Sequence, residues 1–143
     1  MIRNLSDKPI AELQTEQAEK WYKEDLLGKC VSTAEGQPSF VFYEGPPTAN
    51  GKPGIHHVMA RTIKDCICRY KSLKGFQVSR KAGWDTHGLP VELSVEKSLG
   101  ITKEDIGKKI SVDDYNNACR KDVMKYIGEW GRLTQQMGYW INM

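Results

Sequence analysis

Two adjacent histidines, His56 and His57, follow a loop at residues 45–54 that is built largely from glycine and proline. Glycine lets a backbone approach a ligand closely, and the N–H groups that open a helix attract anions. An imidazole in the first turn of such a helix can donate a hydrogen bond to a phosphate. The pattern predicts a site for a nucleotide phosphate, although an ordinary strand-to-helix turn would show similar glycine spacing.

A second group of polar residues lies in the loop at residues 82–92, which reads Ala-Gly-Trp-Asp-Thr-His-Gly-Leu-Pro-Val-Glu. Taken alone, Asp85 in this loop is interpreted as bonding the backbone of its own turn, which is the commoner use of an Asp in a loop.

The elements around these loops follow from hydrophobic patterning. Residues 40–43 are aromatic or β-branched and predict a strand over 40–44, which the two prolines that follow must end. Apolar residues recur at spacings of three and four from Ile55 and predict a helix to about Leu73, stopped by Gly75. Residues 76–81 alternate and predict a second strand.

A strand, a helix and a second strand over residues 40–81 predict a right-handed βαβ unit with parallel strands. Ligands of such sheets bind beyond the carboxyl ends of the strands. Each of the two polar loops directly follows one strand, so we expect them to share one crevice.

The flanking segments are predicted from the same patterns, and several residues are expected to serve packing alone. The predictions are a helix over 10–28 with Gly28 as its C-cap, a loop over 32–39, a helix over 89–99 stopped by Gly100, an irregular polar stretch over 101–111, and one long helix from Asp113 or Asp114 to about Met137. Trp130, Met137 and Trp140 are interpreted as core residues.

Composition places the chain among soluble globular proteins: of 143 residues, 27% are charged and the net charge is +3. No apolar run approaches the roughly 20 residues of a membrane span, and residues 1–9 lack the apolar core of a signal peptide. We therefore expect a cytoplasmic protein without a membrane partner.

The four cysteines, Cys30, Cys66, Cys68 and Cys119, are interpreted as small buried thiols in a reducing compartment. A metal centre built from the histidines and cysteines is not expected. Adjacent histidines rarely point at one ion, and the Cys-x-Cys spacing matches no zinc template.

Residues 45–51, Gly-Pro-Pro-Thr-Ala-Asn-Gly, resemble the first nucleotide-binding motif of class I aminoacyl-tRNA synthetases, and of isoleucyl-tRNA synthetases in particular. That family continues with the tetrad His-x-Gly-His. The tetrad of this chain, residues 54–57, reads Gly-Ile-His-His. Its last histidine is in place, while its first histidine is a glycine and its glycine is a histidine.

The second loop resembles the Gly-Trp-Asp-x-His-Gly-Leu-Pro-x-Glu motif of isoleucyl-tRNA synthetases. The valine enzymes carry a Thr-Asp-His-Ala-Gly pattern here, and the leucine enzymes carry Gly-Trp-Asp-Ala-Phe-Gly. His87 after Thr86 is the isoleucine form. The resemblance runs from about residue 36 to the last residue.

The resemblance implies an α/β fold: a helical lead-in over 1–39, then over 40–143 the first part of a Rossmann-like catalytic domain. It implies ATP as a substrate, with Mg²⁺, together with isoleucine and tRNA(Ile), and a monomer at full length. The site residues it implies are Thr48, Asn50, Gly51, Gly54 and His57 for ATP, His56 and His57 for catalysis, and Gly45, Pro46 and Asp85 for the amino acid. His56 is expected to take over the contact that Gly54 cannot make.

The family's second motif, Lys-Met-Ser-Lys-Ser, and its editing and anticodon-binding domains do not occur in these 143 residues. We therefore expect an N-terminal fragment that does not aminoacylate alone. Two alternatives stay open: a non-catalytic, synthetase-like module that binds a nucleotide or RNA, and a relative specific for valine or leucine.

Overall fold

The computed structural model describes residues 7–143. Its elements, in chain order, are α1 (Ile10–Lys23), α2 (Leu26–Ser32), β1 (Ser39–Tyr43), α3 (Ile55–Leu73), β2 (Gln77–Lys81), α4 (Leu89–Leu99), a 3-10 turn at Lys103–Asp105, α5 (Val112–Val123) and α6 (Ile127–Gln136). The division of the chain at residue 39 stays a prediction.

Strands β1 and β2 pair in parallel, from Ser39 opposite Gln77 to Tyr43 opposite Lys81, and α3 connects them. This confirms the predicted βαβ unit and the α/β class. The segment around Asn142 continues the sheet beyond β2, because the N–H of Ala82 donates to the Asn142 carbonyl at 2.8 Å. Helix α4 also matches its prediction, and Gly100 ends it in the left-handed region with φ 64°.

The single N-terminal helix predicted over 10–28 is wrong. The chain breaks at Asp25, whose backbone is left-handed with φ 47° and whose carboxylate accepts the N–H of Gly28 at 3.2 Å. Asp25 thereby caps a new helix, α2, and Gly28 lies inside that helix instead of ending the first one. A Cβ on Gly28 would lie 2.2 Å from the Asp25 carboxylate, so a larger residue there would require the carboxylate of the cap to move.

The single long C-terminal helix is also wrong. Helices α5 and α6 are separate, and the N–H of Tyr126 in the junction donates to the carbonyl of Ala49 at 2.9 Å. The apolar rhythm continues through the junction, so periodicity alone could not reveal the break. Ser111, and not Asp113 or Asp114, is the N-cap of α5, since its hydroxyl accepts the N–H of Asp114 at 3.1 Å.

The interior contains several charged side chains beside its apolar core. Glu44 is buried and accepts hydrogen bonds from the Lys64 ammonium and the Tyr139 hydroxyl. Burial, together with the bond to Glu44, raises the pKa of Tyr139. Arg80, also buried, donates to Asp65 and to the carbonyl of Trp140. Because these buried charged side chains have hydrogen-bond partners, the free-energy cost of burying their charges is reduced.

The face of helix α3 that packs against this core is not the face predicted from its apolar residues. Its buried residues are Arg61 and Cys68. The apolar residues whose rhythm predicted the helix are mostly exposed, namely Ile55, Met59, Ile63, Ile67 and Tyr70. The interpretation of all four cysteines as buried is wrong for Cys66, which is exposed.

No helix in the part of the chain that the structure describes is both long and apolar enough to cross a bilayer.

Candidate active site

The first loop, residues 45–54, is held in place by hydrogen bonds from α6 and from the junction that precedes it. Besides the bond from Tyr126 to the carbonyl of Ala49, the indole nitrogen of Trp130 donates to the carbonyl of Gly51 at 2.9 Å. Ala49 is fully buried. The amide of Asn50 donates to the carbonyl of Pro90 at 3.3 Å. The loop is therefore fixed by three separate parts of the chain.

The second loop, residues 82–88, lies directly beside the first. The N–H of Asp85 donates to the Pro47 carbonyl at 3.0 Å, and Thr48 and Asp85 form an isolated parallel bridge. The predicted nucleotide loop and the predicted amino-acid loop therefore extend the two strands side by side. The carboxylate of Asp85 is partly exposed and lies 3.8 Å from Nδ1 of His87, whose own side chain is 93% exposed.

His57 lies in the first turn of α3 with a defined hydrogen-bond pattern. Its Nδ1 accepts the N–H of Gly54 at 2.9 Å, so in the neutral ring the proton is on Nε2. The pKa of His57 is lowered, first by burial and then by the neighbouring His56 and Arg61. The ring is thus kept neutral near pH 7, with one nitrogen free to donate.

His56 packs against both Gly54 and His57. The two imidazole rings have centroids 3.8 Å apart at an angle of 41°. A Cβ built on Gly54 would lie 2.9 Å from Cε1 and 3.1 Å from Nδ1 of His56. The imidazole of His56 thus occupies the space in which a side chain at residue 54 would begin. The glycine at residue 54 and the histidine at residue 56, which both depart from the family motif, are therefore sterically compatible.

Comparison with known proteins decides the family. Residues 16–143 match the model of class I tRNA synthetases (I, L, M and V). The chain belongs to this family. The match begins well before residue 36, where the motif resemblance starts, and includes α2 and the second half of α1.

The curated relatives with high identity share one name. Isoleucine–tRNA ligase of Bacteroides thetaiotaomicron is 68% identical over 134 residues, covering 94% of this chain and 12% of that protein. The enzyme of the same name from Porphyromonas gingivalis is 71% identical over 123 residues, 86% of this chain and 11% of that protein. The one from Cytophaga hutchinsonii is 60% identical over the whole chain and 13% of that protein. The chain therefore spans about an eighth of the length of these relatives.

A cavity of about 240 Å³ in this synthetase segment opens beside the first loop. Gly45, Pro46 and His57, all predicted site residues, line it together with Trp130. Its remaining walls include three charged residues that sequence reasoning missed, Glu44, Arg61 and Lys64. The sequence contains a signal for one of them, because Glu44 is a charged residue directly after the apolar run of β1.

A larger cavity of about 790 Å³ lies between α2, β2 and α6 and contains none of the predicted site residues. The smaller cavity is the better candidate site, because it joins the motif loop to the neutral imidazole of His57. Within residues 7–143, no group of three or more His, Cys, Asp or Glu side chains is placed to hold a metal ion.

Proposed function

We propose that the chain is a segment of an isoleucine–tRNA ligase. That enzyme activates isoleucine with ATP and transfers the acyl group to tRNA(Ile), and it works in the cytoplasm as a monomer, with Mg²⁺ accompanying the ATP. The observation that carries the proposal is the bridge between Thr48 and Asp85. It places the two motif loops side by side, as a reaction between ATP and an amino acid requires.

In the activation step, a carboxylate oxygen of isoleucine attacks the α-phosphorus of ATP. The new P–O bond gives isoleucyl-adenylate, and the bond to the β-phosphate breaks to release pyrophosphate. Positioning and charge stabilisation carry such a displacement, and the protein forms no covalent bond.

The ATP side is assigned to Thr48, Asn50, Gly51, Gly54 and His57. The backbone of the loop approaches the nucleotide, and Nε2 of His57 donates to its phosphates. His56 supplies the second donor in place of the missing first histidine. Its contact with Gly54 supports this role, since the ring already lies over the position that the family's first histidine occupies.

The amino-acid side is assigned to Gly45, Pro46 and Asp85. The Asp85 carboxylate holds the isoleucine ammonium, while the backbone of Gly45 and the ring of Pro46 receive the side chain. The cavity lined by Gly45, Pro46 and His57 supports the assignment of the side-chain pocket, because an amino acid bound there would lie beside the imidazole; Asp85 does not line it.

Isoleucine-dependent ATP–pyrophosphate exchange in the complete enzyme tests the proposal. We expect exchange with isoleucine and roughly 10- to 200-fold weaker exchange with valine, which is the worth of one methylene in an apolar pocket. A preference for valine or leucine would make the protein one of those relatives. Nucleotide or RNA binding without exchange would make it a non-catalytic module.

Single replacements then test the two histidines. His56→Ala should lower the exchange rate, and Glu35→Ala is the control because Glu35 lies at an exposed turn before β1, outside both loops. Unchanged exchange in the His56→Ala enzyme would defeat the assignment of His56.

A further inference from the structure

Trp130 is a core residue, 1% exposed, yet its polar atom points at the first loop. The indole N–H is a donor only, and a buried N–H needs a partner. It finds that partner in the carbonyl of Gly51, at 2.9 Å. The bond joins two residues 79 positions apart in the sequence. Packing of a core tryptophan does not by itself require this bond, which fixes the carbonyl of one particular glycine.

The same indole touches the histidine of the loop. The rings of Trp130 and His57 meet edge to face, with centroids 4.7 Å apart at 75°. Such a contact favours a defined ring orientation. Nδ1 of His57 is already fixed by Gly54, so the indole restrains the ring from a second side and thereby the direction of Nε2.

The indole itself is held in position by its own helix and by α3. The guanidinium of Arg61 lies 4.8 Å from the ring centroid and donates to the Thr134 hydroxyl at 3.0 Å. That hydroxyl donates in turn to the backbone carbonyl of Trp130 at 2.8 Å. The tryptophan is therefore a rigid support and not a side chain that follows the loop.

We propose that Trp130 is a positioning residue for the ATP half of the site, acting through the carbonyl of Gly51 and the ring of His57. The inference rests on the proposed function. The selective effect belongs to the indole N–H, which bonds the first loop and so supports ATP binding, whereas Asp85 is held through the backbone of Pro47 and Thr48. The ring itself also lines the cavity beside Gly45 and Pro46, and its centroid lies 6.5 Å from that of Trp84 in the second loop, so the bulk of the ring serves both halves of the site.

The test is Trp130→Phe in the complete enzyme, with the Michaelis constants for ATP and isoleucine measured separately by pyrophosphate exchange. Loss of one buried hydrogen bond should raise KM for ATP about 5- to 20-fold, with a smaller rise in KM for isoleucine because the shorter ring also lines the cavity beside Gly45 and Pro46. Trp140→Phe is the matched control. The ring of Trp140 packs on Trp21 and Arg69, away from both loops, so both constants should stay within about twofold.

A smaller ring at a buried position can also disturb folding, so a second variant separates the two effects. Replacing Trp130 by β-(3-benzothienyl)alanine keeps the bicyclic shape and removes only the N–H. We expect this enzyme to keep its melting temperature and to show the same rise in KM for ATP.

An unchanged KM for ATP in the benzothienyl enzyme would overturn the proposal. An equal rise in KM for ATP and in KM for isoleucine in that enzyme would also overturn it. Either result would mean that Trp130 serves packing alone. Failure of the unmodified enzyme to exchange with isoleucine would instead defeat the proposed function, so the two failures are distinguishable.

Discussion

The two loops of the candidate site differ in how firmly the rest of the fold holds them. The first is fixed by backbone and side-chain bonds from Tyr126, Trp130 and the start of α4, and its Ala49 is fully buried. The second is attached to the first through the backbone of Asp85, while the side chains of Asp85 and His87 remain open.

Under the proposed function, this difference matches what each loop would bind. A polyphosphate is recognised by many weak contacts from backbone and imidazole N–H groups, which help only if they are held in position beforehand. An ammonium group is recognised by one carboxylate, whose charge carries most of the interaction. The first loop therefore needs support from the rest of the fold, whereas the second needs only to present Asp85.

The largest effect should come from the second loop. Asp85→Ala removes the single charge that holds the ammonium and should raise KM for isoleucine about 100-fold, in the range for loss of a charge-assisted hydrogen bond. KM for ATP should change little, as measured by pyrophosphate exchange. Glu35→Ala, at an exposed turn, is the control. Equal effects on both substrates would remove the contrast between the loops.

The next effect should come from His57. Under the proposed function, His57→Ala removes a neutral donor to the phosphates and should lower kcat for exchange about 30-fold, the worth of one hydrogen bond to a charged group, with KM for isoleucine nearly unchanged. We expect His56→Ala to cost less, because His56 is the more exposed of the two rings. A larger loss in His56→Ala than in His57→Ala would reverse the assigned roles.

A smaller effect should come from the amide that ties the first loop to α4. Asn50→Ala removes the hydrogen bond to the Pro90 carbonyl and should raise KM for ATP about threefold, since this bond is long and partly exposed. Kinetics with ATP as the varied substrate measures it. A rise confined to isoleucine would show that Asn50 serves the second loop instead.

The smallest effect is a dependence on pH. Burial lowers the pKa of His57 in the folded protein below its ordinary value of 6.5, so the unfolded chain binds more protons just below that pH. This contribution to stability is present above pH 6.5 and declines as the pH falls through the unfolded and then the folded pKa. Melting temperatures between pH 7.5 and pH 5 should fall less in His57→Gln than in the unmodified enzyme. An identical fall in both would show that burial of His57 does not contribute.

The comparison also shows where sequence reasoning works. The strands β1 and β2, helix α3 and helix α4 are confirmed within a residue or two, because runs of one period end at strong local signals such as Pro46 and Gly100. The break between α5 and α6 is not local. The apolar rhythm crosses it, and the bond from Tyr126 to Ala49 shows why the backbone turns there.

Single residues show the same limit. Trp130 is correctly predicted as core, but its bond to Gly51 depends on a partner far away in the sequence. The contact between His56 and Gly54 depends on the side-chain conformation at the start of α3. Which face of α3 is covered also escaped prediction, since Ile63 and Ile67 look like core residues and are exposed, while Arg61 is buried.

The amino-acid sequence by itself determined the order of strand, loop, helix and strand, and the two motifs that point to the family, because both depend on neighbours within a few positions. Tertiary structure alone decided that Thr48 lies beside Asp85, that the helix after Val123 breaks, and that the indole of Trp130 bonds the first loop. Those features depend on bonds between residues that are distant in the chain, and no local pattern encodes such a partner.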